Sequence, residues 1–108
     1  MEIEKLRQEI DGLDDKMVKL FVERMGLSAL IAEEKKKTGK AVTDKSREGE
    51  ILFRLLSSAP EEFSVYIKEL YETVFVLSRA YQSTLIGAES KTVKEIRALI
   101  EKGEYKTS

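Results

Sequence analysis

Two basic residues, Arg24 and Lys35, are placed to meet one anion on the long N-terminal helix that the sequence predicts. With Ile3 at position a of a heptad, eight of nine a and d positions are apolar, and the exception is Arg24. A buried guanidinium is costly unless an anion meets it. Lys35 follows eleven residues later, about 20° around a straight helix and about 16 Å along it. We therefore expect two basic side chains that converge on one small anion.

Arg7 is a third basic candidate on the same helix. It shares heptad position e with Lys35 but precedes it by 28 residues, which is about 42 Å of helix. One chain cannot place both side chains on a small ligand. A second copy whose first helix runs antiparallel would bring its Arg7 beside Arg24 and Lys35. The spacing therefore predicts a homodimer with shared sites.

Neutral and acidic groups complete the candidate set. Ser78 and Gln82 share one face of the third predicted helix, because they are four residues apart. Asp44, Arg47 and Glu48 lie at the start of the second helix, where backbone N–H groups favour anions. Together with the basic residues, these groups suit a compact dianion that carries hydroxyl or ether oxygens.

Each of these residues also has a purely structural interpretation. Arg24 could pair with Glu23 or Glu48 and set the register of packed helices, as polar residues in coiled coils do. Lys35 lies in a run of charges that could form a solvated face. The two polar residues of the third helix could form an ordinary interhelical hydrogen-bonded pair. The candidates of the second helix could be a plain N-cap and surface residues of its first turn, which are Asp44, Arg47 and Glu48.

Composition narrows the possible chemistry. The 108 residues include no His, no Cys and no Trp, with 19 basic and 20 acidic side chains. This excludes an imidazole acid or base, a thiolate nucleophile, a disulfide and a zinc site of the usual type. A net charge of −1 argues against nucleic acid, and no apolar run reaches the roughly 18 residues of a membrane span. We expect a cytoplasmic protein with no cofactor, no metal and no membrane partner.

Helical periodicity without strand-like alternation predicts an all-α chain. The first helix should run from about residue 2 to 37 and stop at Gly39. The apolar a and d positions form a seam along this helix. A rod of about 50 Å cannot fold that seam onto itself, so the chain should need a partner.

The second and third helices carry their own start signals. Thr43 or Asp44 is available as the N-cap of a short second helix. Ser58, Pro60 and Glu61 resemble the N-cap, first turn and return arm of a capping box. These three residues predict that the third helix begins directly after Ser58.

The apolar stripe of the third helix should end near Gly87. This end predicts two segments. Residues 1–87 form the helical domain, and residues 88–108 form a C-terminal appendage or the start of a linker. Within the appendage, Ser90 could cap a short amphipathic helix that ends at Gly103.

Four motifs occur in order along about residues 3–85. They are L-R-x-x-I-x-x-L-D from Leu6 to Asp14, Glu23-Arg24 followed by Lys35, D-x-x-R-E from Asp44 to Glu48, and Ser78-x-x-x-Gln82. Their types and separations resemble those of the all-helical chorismate mutases of bacterial type, which occur alone or fused to other shikimate-pathway enzymes. Each motif is weak by itself, and the specificity lies in the ordered set.

The resemblance implies a fold and an activity. The fold would be three helices per chain, intertwined into a dimer whose long first helices run antiparallel. The activity would be the Claisen rearrangement of chorismate to prephenate, on the route to phenylalanine and tyrosine. This reaction needs no proton transfer and no covalent intermediate, so the composition does not oppose it.

The resemblance also implies roles. Arg24 and Arg7 of the other chain would bind the two carboxylates, and Lys35 and Gln82 would donate to the breaking ether oxygen. Glu48 and the backbone near Asp44 would bind the ring hydroxyl. Ser78 would help to bind a carboxylate, and Arg47 would orient the loop and its neighbours.

Two other functions fit parts of the pattern. An isochorismate pyruvate-lyase could use a similar cationic pocket on the same scaffold, because a fold does not determine chemistry. A non-enzymatic helical dimerisation or regulatory module would use Arg24 only to set register. The full set of Arg, Lys, Glu and Gln favours the mutase over both.

Overall fold

The computed structural model describes residues 2–87 and 91–103, which form four α-helices and one 3₁₀ turn. The helices are α1 (Ile3–Thr38), α2 (Lys45–Ser58), α3 (Ser64–Leu85) and α4 (Lys91–Lys102), and the turn is Glu61–Phe63. The described ranges contain no strand. The predicted all-α fold, with a long first helix and a short C-terminal helix, is confirmed.

The end of α1 and the start of α2 follow local capping rules. Gly39 adopts a left-handed conformation with φ of 71°, and its N–H donates to the carbonyl of Lys35. At α2, the Asp44 side chain accepts a hydrogen bond of 3.0 Å from the backbone N–H of Arg47. The stop at Gly39 is confirmed, and of the two candidate caps Asp44 is the one that forms.

The predicted capping box after α2 is wrong. Ser58 is the last residue of α2, and its hydroxyl lies 3.3 Å from the carbonyls of Arg54 and Leu55. Ala59 is extended, as the residue before a proline prefers to be. The chain therefore leaves the helix at Ala59, passes through the 3₁₀ turn, and begins α3 only at Ser64.

The helix α3 packs against both α1 and α2. Arg24 contacts Ser78 and Ser28 contacts Gln82, so the second half of α1 and α3 run in the same direction. The helix α2 runs opposite to α3, because its first turn lies beside Arg79 and its middle lies beside earlier turns of α3. The loop between α1 and α2 therefore lies near the C-terminal end of α3.

The first half of α1 extends beyond this packed region. Every residue from 2 to 20 is exposed, including the apolar residues of the predicted seam. Among the described residues, only Ala32 and Phe75 are buried apolar side chains. A large apolar surface therefore lies along α1, on a chain with a very small core.

The C-terminal helix α4 is amphipathic and keeps its apolar residues about half exposed, as for Ile96, Leu99 and Ile100. The predicted cap Ser90 and the polar tail 104–108 lie outside the described residues. No described helix is long and apolar enough to span a bilayer. The division at residue 87 and the cytoplasmic location stay predictions.

Candidate functional site

A cavity of about 290 Å³ lies between the second half of α1, the first turn of α2 and α3. This is near the lower end of the range of small-molecule pockets, roughly 300–1,000 Å³. Seven of the eight candidate residues line the cavity: Arg24, Lys35, Asp44, Arg47, Glu48, Ser78 and Gln82. Arg79 also lines it, so four basic groups and two carboxylates leave the lining with a net charge of +2. This balance suits a dianion.

Arg24 is half-buried and has neutral contacts. Its Nη1 donates to the Ser78 hydroxyl over 2.8 Å, and its guanidinium carbon lies 5.9 Å from the centre of the Phe75 ring. Within the part of the chain that the structure describes, no carboxylate forms an ion pair with it. The alternative interpretation, in which Arg24 pairs with Glu23 or Glu48, is not what the described residues show. Its charge is left available to a ligand in the cavity.

Ser78 and Gln82 are both buried, and each bonds to α1 instead of to the other. The Gln82 Nε2 donates to the carbonyl of Ser28 over 3.1 Å. A side-chain amide nitrogen carries two N–H groups, so one donor remains for another acceptor. The hydrogen bond between Gln82 and Ser28 therefore joins α3 to α1 and holds the Gln82 side chain at the cavity wall.

Lys35 is half-buried and anchors the loop between α1 and α2. Its Nζ donates to the carbonyl of Val42 over 2.9 Å. An ammonium group has three donors, so further hydrogen bonds can be made in the cavity. The interpretation of Lys35 as part of a solvated face is not supported by this placement.

The first turn of α2 contributes three candidates in different ways. Asp44 is an exposed cap, and Arg47 is exposed and pairs with Glu50 at 3.3 Å. Glu48 is half-buried and bonds across to Arg79 on α3. Only Glu48 of the three presents a largely enclosed side chain to the cavity.

Arg7 lies outside the cavity of its own chain. Its side chain is 68% exposed and pairs with Glu4 at 3.7 Å. It precedes Arg24 by seventeen residues on the same helix, which corresponds to about 25 Å. As the spacing indicated, a single chain does not bring Arg7 to the other candidates.

Sequence reasoning missed four lining residues, which are Ser28, Val42, Phe75 and Arg79. Phe75 and Arg79 lie on the face of α3 that carries Ser78. The available signal was Glu48, since a carboxylate expected to be partly enclosed needs a cationic partner. Arg79 follows directly after Ser78 in the sequence and is a candidate for that partner.

The cavity can bind and polarise an anion. It offers guanidinium, ammonium, amide and hydroxyl donors at fixed positions, and the chain has no imidazole or thiol to add. Donors fixed in advance around a position where negative charge develops are an effective means of catalysis. The arrangement suits the binding of a dianion and the stabilisation of negative charge that develops on one of its oxygens.

Comparisons with known proteins agree with this chemistry. The family model described as chorismate mutase type II matches residues 6–83. The bifunctional chorismate mutase/prephenate dehydratase of Buchnera aphidicola subsp. Acyrthosiphon pisum (strain APS) is 35% identical over 82 residues. That alignment covers 74% of this chain and 21% of the relative, so the chain spans about a fifth of that protein's length. No solved structure matches at comparable significance.

Proposed function

The chain belongs to the chorismate mutase type II family, and from this premise we propose that it rearranges chorismate to prephenate. The observation that carries the proposal is the half-buried Arg24, which has no described carboxylate partner in a cavity of net charge +2. Chorismate carries two carboxylates, a ring hydroxyl and an ether oxygen. The cavity offers groups for one carboxylate, the hydroxyl and the ether oxygen, and Arg7 of a second copy would bind the other carboxylate. The product places the reaction in the biosynthesis of phenylalanine and tyrosine.

The reaction requires only that the substrate is held in its reactive conformer and that the developing charge is stabilised. The ether C–O bond breaks while a C–C bond forms between the side-chain methylene carbon and the ring, and no atom or proton leaves. The reactive conformer must be held in a chair-like geometry, and negative charge grows on the ether oxygen. A cavity with fixed cations and amide donors can do both.

Two pairs of residues carry the main roles. Arg24 and Arg7 of a second copy bind the two carboxylates, where a guanidinium can make paired hydrogen bonds. Lys35 and the remaining N–H of Gln82 donate to the ether oxygen. The supporting geometry is that Lys35 and Gln82 are each held by one hydrogen bond to a backbone carbonyl.

The other candidates bind the rest of the substrate. Glu48 and the backbone near Asp44 receive the ring hydroxyl, and Ser78 assists a carboxylate. Arg47, exposed on the first turn of α2, orients the loop and its neighbours.

We also propose that two copies form an intertwined dimer with their α1 helices antiparallel. The radius of gyration is 16.9 Å, against about 13 Å for a compact chain of this length. Leu6, Ile10, Leu13 and Met17 are 40–57% exposed along the first half of α1. A second α1 would cover these residues and carry its Arg7 towards Arg24, which completes the site. A second copy is therefore the partner that serves both the apolar surface and the chemistry.

The direct test is to incubate the purified chain with chorismate and follow the loss of its absorbance. We expect enzyme-dependent loss and identification of prephenate as the product. Unchanged chorismate at micromolar enzyme would contradict the proposal. Release of pyruvate from isochorismate, without prephenate formation from chorismate, would instead support the lyase.

A further inference from the structure

The ion pair between Arg79 and Glu48 differs from the others in the described chain. The Arg79 Nη1 lies 2.6 Å from Glu48 Oε1 and also donates to Oε2. The two side chains are 24% and 18% exposed, and the pair joins α3 to α2. Every other described ion pair lies within one helix and has at least one side chain that is half or more exposed. Enclosure makes this pair stronger than a surface pair and costly to break.

The pair forms part of the wall of the candidate site. Arg79, Glu48 and Phe75 line the substrate cavity, and the same three residues line a second cavity of about 380 Å³ on the outer side of α2 and α3. The Glu48 carboxylate therefore has space on both sides. Without Arg79 its remaining partner would be Lys45, whose Nζ lies 3.9 Å from Glu48 Oε1 and which lines only the second of the two cavities. The carboxylate would then turn outward, away from the substrate cavity.

Charge gives a second reason for the pair. With Arg79 the cavity lining has a net charge of +2, and without it the net charge would be +1. Without Arg79, the Glu48 carboxylate would be paired only with the exposed Lys45 and would repel a dianionic ligand at short range. Arg79 cancels this repulsion while both Glu48 oxygens keep lone pairs that can accept a hydroxyl proton.

We propose that Arg79 is a positioning residue that holds the Glu48 carboxylate towards the substrate cavity as the acceptor for the ring hydroxyl. This inference rests on the proposed function. Arg79 acts through Glu48 and does not itself touch the substrate. Its effect should therefore be large when Glu48 is present and small when Glu48 has been replaced.

The test is a double-substitution cycle on kcat and KM for chorismate, with wild type, Arg79→Met, Glu48→Gln and the double variant. We expect Arg79→Met to raise KM by about tenfold or more, because neighbouring charged groups are strongly coupled. In the Glu48→Gln background the same substitution should change kcat/KM by no more than about twofold. Arg79→Lys keeps the charge and should recover part of the loss.

Two measurements exclude a general loss of structure. Lys68→Met breaks the ion pair with Glu72, which lies on the same helix and is about half exposed, and should leave kcat/KM unchanged. Circular dichroism and light scattering should give the same helix content and particle size for all variants. If Arg79→Met does not fold, the cycle is measured with Arg79→Lys, for which the expected coupling is smaller but has the same sign.

Additive losses in the cycle would overturn the inference, because Arg79 would then act independently of Glu48. An unchanged KM in Arg79→Met would also overturn it. Both outcomes leave the proposed function standing, since the wild type remains active. A wild type that does not convert chorismate would overturn the proposed function and, with it, this inference.

Discussion

At the scale of residues, the most informative observation is how Arg24 is contacted. A hydroxyl and an aromatic ring stabilise the orientation of its guanidinium but do not neutralise it. Glu48 is the enclosed carboxylate of the same cavity, and it is already paired with Arg79. Among the described residues Arg24 and Lys35 have no carboxylate partner, whereas Glu48 is paired, and all three line one cavity. This is the arrangement that a dianionic ligand with a hydroxyl group needs.

Replacing Arg24 separates catalysis from structure. We expect Arg24→Ala to lower kcat/KM by about 10²–10³, the usual effect of removing one donor to developing or bound negative charge. The helix content and the particle size should not change, because no described ion pair is lost. The exposed Lys19→Ala on the same helix is the matched control and should retain activity. A change of oligomeric state in Arg24→Ala, with activity retained, would favour the register role.

Replacing Gln82 tests its role as a donor. An amide does not titrate, so Gln82 should cause no loss of kcat/KM between about pH 5 and 8. In Gln82→Glu the side chain can donate only when it is protonated, so kcat/KM should fall as the pH rises. A wild-type fall in this range that persists in Gln82→Ala would assign the titration to another group and contradict the role.

At the scale of elements, α1 serves two purposes with its two halves. The second half carries Arg24, Ser28 and Lys35 at the cavity, and the first half is exposed throughout. The two halves belong to one uninterrupted helix, which holds Arg7 at a constant distance from the cavity. Two glycines of this helix, one inside it and one at its C-cap, should respond to alanine substitution with opposite changes in stability.

Gly26 and Gly39 form a matched pair for stability. A Cβ added at Gly26 meets no atom within 4 Å, so Gly26→Ala should raise the free energy of unfolding by about 0.5–1 kcal/mol. Gly39 is left-handed with φ of 71°, so Gly39→Ala should lower it by about 1–2 kcal/mol. Urea denaturation of both variants measures the difference. Destabilisation by Gly26→Ala would indicate that another chain packs closely against that face of α1.

At the scale of the whole molecule, the described chain buries very little apolar surface. It has two buried apolar side chains among the described residues and a thin shape of 55 × 41 × 20 Å. Burial of apolar surface is the main favourable term in folding, so covering the exposed seam of α1 would stabilise the fold. The proposed dimer supplies that cover and the missing Arg7 in one step.

Shared sites can be tested by mixing two inactive variants. Arg7→Ala and Arg24→Ala should each have low activity, because each removes one carboxylate partner from every site. After the two are denatured together and refolded, half of the dimers should be mixed, and each mixed dimer has one intact site. Activity should therefore recover to about a quarter of the wild-type value. No recovery, with mixed dimers shown by mass spectrometry, would mean that Arg7 acts within its own chain or not at all.

The sequence by itself determined the four helices, the stop at Gly39, the apolar seam and seven residues of the candidate cavity. These follow from periodicity, capping chemistry and residue type, which act over a few neighbouring positions. It could not place the start of α3, because the extended residue before Pro60 competes there with a good capping pattern.

Only the tertiary structure decided which partners the polar groups take. Arg24 could reach Glu23, Glu48 or a ligand by spacing alone, and the packing of α1 on α3 gave it Ser78, 54 residues away. Glu48 likewise found Arg79 across 31 residues. Contacts between helices depend on how whole faces pack, and several packings are compatible with one helical pattern. For this reason the chemistry of the site was readable in the sequence, and its internal pairing was not.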